Sequence, residues 1–114
     1  MATFQDFELG QTVFRHGDVH LKKTKTPVNQ EHRPTIAQAT IHQGQNHDHT
    51  LRGSFYVRED GGKKFIGLLS VSRLGHEEHG AIEIDPAEID STELEMDIQV
   101  EYDHQLEESR QVID

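Results

Sequence analysis

The sequence predicts an all-β domain, a small antiparallel sandwich or barrel of about six to eight short strands. Three observations predict it. Residues 93–102 alternate without interruption, with Leu94, Met96, Ile98, Val100 and Tyr102 on one side and Glu93, Glu95, Asp97, Gln99 and Glu101 on the other. That is the period of a strand with one face toward a core and the other toward water. Asp60-Gly61-Gly62 separates two apolar runs and marks a hairpin. Further turn residues punctuate short β-branched and aromatic runs along most of the chain.

Each element follows from the same rules. Residues 1–12 read as an N-terminal arm that docks Phe4 and Phe7. Residues 13–15 form a short strand and Gly17-Asp18 a turn; Val19 and Leu21 then alternate with His20 and Lys22 in a second strand. Residues 24–34 are polar, contain Pro27 and Pro34, and predict a surface loop. Residues 35–42 predict a strand with Ile36, Gln38 and Thr40 on one face and Ala37, Ala39 and Ile41 on the other. Gly44 opens a turn, residues 47–51 are short and rich in histidine, and a run from Gly53 sets Phe55 and Val57 opposite Tyr56. Residues 63–71 predict one long strand, apolar on both faces and therefore central or sandwiched. Residues 73–80 predict a loop, 81–84 a strand, 86–89 a helical turn or tight loop, and 103–114 a polar tail or short helix.

Composition bounds the function. At 114 residues the chain holds a single β domain, 1–114. Only 32% of it is hydrophobic, so the core is thin, or is completed by a metal or by another copy of the chain. The formal net charge of -10 excludes nucleic-acid binding through general phosphate contacts. That charge is uneven: twelve acids and one base, Arg110, fall from Glu83 onward, so the acidic surface belongs to the C-terminal third. The absence of cysteine excludes disulfides and thiolate metal sites. Any transition-metal site must use imidazole and carboxylate, a donor set suited to zinc, iron or manganese. No apolar run approaches the roughly 20 residues that span a bilayer. The first ten residues carry Asp6 and Glu8 without a basic flank and do not read as a signal peptide, so a cytoplasmic location is expected.

Histidine is the most informative residue type. His47 and His49 lie two apart; on an extended segment both rings leave one face and can meet a single ion at about 2.0–2.1 Å from each nitrogen. His76 and His79 lie three apart between Gly75 and Gly80, a spacing that lets two rings meet in a turn. Glu77 or Glu78 can add a carboxylate oxygen, or orient a ring from behind. His47, His49, His76 and His79 are the predicted metal ligands, with Glu78 as the alternative ligand or general base. His16, His20, His32, His42 and His104 read as isolated, with His42 the best accessory ligand among them. His76-Glu77-Glu78-His79 matches neither H-E-x-x-H nor H-x-x-E-H, so a metalloprotease is not expected.

Gly44, His47 and His49 resemble the opening of a cupin motif. Thr50, Leu51, Arg52 and Gly53 stand where that motif places its glutamate, so the resemblance implies a cupin-like or jelly-roll-like architecture only. More of the chain resembles a group of small uncharacterised bacterial and phage proteins that carry a G-D-V start, an H-x-H, an H-E-E-H and a late E-Y. The matching residues are Arg15-His16-Gly17-Asp18-Val19, Gly44 to His49, Leu74-Gly75-His76-Glu77-Glu78-His79-Gly80 and Glu101-Tyr102. This resemblance implies that the two histidine pairs belong to one unit, in a bacterial cell, an infected host or a virion.

Two functions are compatible with these residues. One is a metal-dependent enzyme or small-ligand binder built on a β-barrel. The other is an acidic structural or interaction protein, a virion component or an inhibitor of a host protein, without catalysis. In the second, Glu93, Glu95 and Asp97 meet a basic protein partner, or the Phe4/Phe7 arm joins copies into a homo-oligomer.

Overall fold

The computed structural model describes residues 3–31, 33–43, 48–75 and 80–99. It is an all-β, barrel-like fold. The strands are β1 (Thr12–His16), β2 (Val19–Pro27), β3 (Ile36–Gln43), β4 (Asp48–Asp60), β5 (Lys63–Leu68), β6 (Ser72–Gly75), β7 (Ile82–Ile84) and β8 (Thr92–Ile98). Two single 3-10 turns, Phe4–Asp6 and Pro86–Ile89, complete the described structure. Every pairing is antiparallel, and the sheet runs β1-β2-β8-β5-β4-β6-β7, with β3 on β4.

Two tight hairpins set the register. Gly61 and Gly62 both have positive φ, 59° and 81°, and join Asp60 directly to Lys63 across the turn. Gly17, at φ 60°, turns β1 into β2, so that His16 faces Val19. Asp18 is the second residue of that turn, and its carbonyl accepts from the Gln99 amide at 2.8 Å, which ties the hairpin tip to the end of β8.

A matched break bends the sheet. The thirteen residues of β4 continue through Gly53, pairing with β5 on one side of it and β6 on the other. Opposite Gly53 the partner strand breaks at residues 69–71. Residues 63–71 are therefore not one strand: β5 ends at Leu68, Val71 is half exposed, and pairing resumes at Ser72, where a loop was expected. The next chain segment breaks at the same level, because Pro86–Ile89 separates β7, paired with β6, from β8, paired with β5. Three neighbouring strands thus turn a corner together, as barrel closure requires.

The core lies inside that curve: Val19, Leu21, Leu51, Phe55, Ile66, Leu68, Leu74, Ile84, Ile89 and Leu94, with Phe4 from the N-terminal turn. Each side chain of this kind contributes about 1.5–3 kcal/mol when fully buried. Lys23 pins the turn by donating to the carbonyls of Phe4 and Phe7 at 2.8 and 2.9 Å.

Two local expectations fail for identifiable reasons. Ile36, Ala39 and Ile41 all pack on the core although simple alternation divides them, because register shifts at Ile36/Gln38 and at Thr40/His42 rotate β3 twice. Residues 24–27 extend β2 rather than forming a loop, since Thr24 Oγ1 donates to the Glu93 carbonyl at 2.6 Å and Pro27 faces Thr92.

Candidate functional site

Among the described residues the sheet does not close by backbone pairing: β1 pairs only with β2, and β7 only with β6. Side chains bridge the two edges, and histidine dominates the bridge. His16, the last residue of β1, donates through Nε2 to the carbonyl of Gly80, just before β7, at 2.7 Å. A carbonyl oxygen only accepts, so the His16 proton sits on Nε2. Its other ring nitrogen, Nδ1, faces Nδ1 of His49, 3.0 Å away. The two rings meet edge to face, with centroids 5.0 Å apart.

His49 lies on β4 and is fully buried. Its direct partner across the β3–β4 ladder is His42, and the two rings stack with centroids 5.6 Å apart. His42 Nε2 reaches Asp18 Oδ2 at 3.4 Å. Three imidazoles from β1, β3 and β4 and a carboxylate from the β1–β2 turn therefore line one seam. His20 lies on β2, where its Nδ1 meets Thr12 Oγ1 at 3.1 Å.

Of the predicted ligands, His49 is in this seam. His47, His76, His79 and the candidate base Glu78 lie outside the described residues, as do His32, His104 and Tyr102. The residues flanking them are anchored at the seam: Asp48 precedes His49, Gly75 pairs with Thr50, and Gly80 holds His16. His16 and His42, expected to be isolated, are instead in ring contact with His49. Among the described residues no three His, Asp or Glu side chains converge as a metal-binding group.

The predicted acidic face of β8 is also revised. Glu93 is buried, not solvated. Its carboxylate accepts from Tyr56 Oη at 2.5 Å and from Arg58 Nη2 at 2.6 Å. Asn29 and Arg33 lie against this outer face: the Asn29 amide donates to Tyr56 Oη at 3.0 Å, and the Arg33 guanidinium sits over the Tyr56 ring. Farther along β8, Asp97 pairs with Lys22 at 2.8 Å. Burial raises the Glu93 pKa, but hydrogen bonds from Arg58 and Tyr56 and the nearby positive charges of Arg58 and Arg33 outweigh it and hold the carboxyl below its ordinary value. Burial, and then the bond to Glu93, push the Tyr56 hydroxyl up. The Lys22 hydrogen bond, followed by that of Gln99, holds Asp97 down.

The pH dependence follows. Carboxyls bound more weakly to protons in the folded state stabilise it above their unfolded pKa, and that stability disappears as pH falls through the folded pKa. The share of the melting temperature owed to Glu93 and Asp97 should therefore be lost as pH falls below the ordinary carboxyl values of about 4. In thermal melts across this range, Glu93→Gln should show a shallower acid decline; an unchanged decline would remove Glu93 from the account.

No family model matches the chain, nor does any curated protein or solved structure.

Proposed function

We propose that this chain is a metal-binding β-barrel protein whose divalent ion sits at the histidine seam. His16 and His49 bind the ion through Nδ1, and the remaining ligands come from His47, His76 and His79. Zinc, iron and manganese suit such imidazole and carboxylate donors.

The observation that carries this reading is the approach of two Nδ1 atoms to 3.0 Å, with the proton of one ring committed to the Gly80 carbonyl. Two nitrogens each about 2.0–2.1 Å from one ion lie about 2.9–3.4 Å apart for ligand angles of about 90–109°. A backbone carbonyl holding the opposite nitrogen is the usual way a protein fixes a ligand histidine. Glu78 remains the alternative oxygen ligand, or the general base beside a metal-activated water if the site binds and turns over a small molecule.

The alternative, an acidic interaction protein, draws less support. Of the three carboxylates it offers to a basic partner, Glu93 is buried against Arg58 and Asp97 is paired with Lys22.

The test is elemental analysis of untagged protein purified without chelator, beside His49→Ala and His16→Ala. About one ion per chain, lost in both variants, is the expected result. His16 is only partly buried, so His16→Ala retains a readout if His49→Ala fails to fold. No bound metal, and no thermal shift on adding zinc, ferrous iron or manganese, would sink the proposal.

A further inference from the structure

Asp18 is a buried carboxylate that the described protein does not neutralise. Its relative exposure is 5%, and Oδ1 has no hydrogen-bond partner. Among the described residues its one ion-pairing neighbour is His42, at 3.4 Å, a long contact. Neither lysine nor arginine pairs with it there. A buried carboxylate left in this state is costly, and proteins retain one where a cation completes it. Nor is Asp18 placed by accident. Gly17 sets the turn, Arg15 Nε donates to the Gly17 carbonyl at 3.0 Å, and the Asp18 carbonyl is fixed to Gln99. The side chain is thus delivered to the ring that stacks on His49.

We propose that Asp18 belongs to the metal centre: it holds His42 through Nε2–H and supplies the buried negative charge that the ion neutralises. The proposal rests on the metal reading above and adds two residues to it. With its proton directed to Asp18, His42 keeps the Nδ1 lone pair available beside His49. Asp18 is a positioning residue, acting through His42 and through its charge.

Asp18→Asn separates this role from a purely structural one, because the two predict different signs. The amide keeps the shape of the side chain and an acceptor for His42 but removes the charge. Zinc titrated calorimetrically into the full chain should bind about 10–100-fold more weakly in Asp18→Asn than in the wild type. The metal-free variant should melt no lower than the metal-free wild type, because an uncompensated buried charge has gone. An Asp18→Asn chain that does not fold without metal would overturn the role of Asp18; His42→Gln is the second arm, with the same loss of zinc affinity expected. Wild-type zinc binding that survives these substitutions unchanged would leave the metal reading standing and overturn the role of Asp18. So would a metal-free melting temperature lowered in step with zinc affinity. A wild-type chain that takes up no zinc would overturn both.

Discussion

Replacing Glu93 with alanine should cost the fold about 3–5 kcal/mol, the range for breaking a buried ion pair from one side. Glu93 is 1% exposed and accepts bonds from both Tyr56 and Arg58. Its removal leaves the Tyr56 hydroxyl facing a void and the Arg58 guanidinium without its nearest countercharge. The effect should reach the Asn29 amide and the Arg33 side chain too, since both are held on Tyr56. Against a total stability of about 5–15 kcal/mol for a domain of this kind, the loss is large. Glu93→Gln should cost less, because the amide oxygen still accepts from Arg58. Denaturant unfolding followed by circular dichroism measures both. A loss below about 1 kcal/mol for Glu93→Ala would mean that Arg58 and Tyr56 find equivalent partners, and that the cluster is not what holds Asn29 and Arg33 in place.

Gly53→Ala should be comparably damaging, and it bears on the seam directly. Gly53 has φ 151°, a conformation that strains any L side chain, and an added Cβ would lie 2.8 Å from Ser72 Cβ and 2.9 Å from its Cα. Backbone strain and forced separation each cost about 1–3 kcal/mol, so a loss of about 2–5 kcal/mol is expected. Gly61→Ala is the control: its φ of +59° is also positive, but nothing lies within 4 Å of the added carbon. The control should lose about 1–2 kcal/mol, from the left-handed conformation alone. Because Gly53 is where β4 leaves β5 for β6, forcing those strands apart should also misalign His49 with His16 and weaken zinc binding. If Gly53→Ala and Gly61→Ala lose equal stability, close contact with Ser72 does not matter and the corner is looser than described.

The parts of the fold legible in the sequence were those governed by near neighbours. Gly61-Gly62 announced its hairpin, and the alternation from Glu93 to Ile98 announced β8. The break in residues 63–71 was not legible, because Leu69 and Val71 continue the apolar pattern while the chain turns the barrel corner. Glu93 looks solvated because alternation assigns it to an outer face; nothing local says that Tyr56, Arg58, Asn29 and Arg33 will gather on that face. Of the seam residues, His49 is the one that the sequence singles out, by its spacing to His47. His42 carried a usable signal: a hairpin with its turn near Gly44 sets His42 opposite His49, the pairing observed. His16 and Asp18 stand in the Gly17-Asp18-Val19 motif region, but no spacing links them to His42 or His49, which they meet only when the sheet edges approach.

The central claim is that His16 and His49 present their Nδ1 atoms to one ion, and imidazole 15N NMR of the full chain with and without zinc tests it most directly. Without metal, His16 should be the Nε2–H tautomer, as its bond to Gly80 requires. Saturating zinc should then shift Nδ1 of both His16 and His49 while leaving Nε2 of His16 protonated. A His16 proton on Nδ1, or Nδ1 resonances unmoved by zinc, would contradict the account and leave the seam as a hydrogen-bonded closure of the barrel.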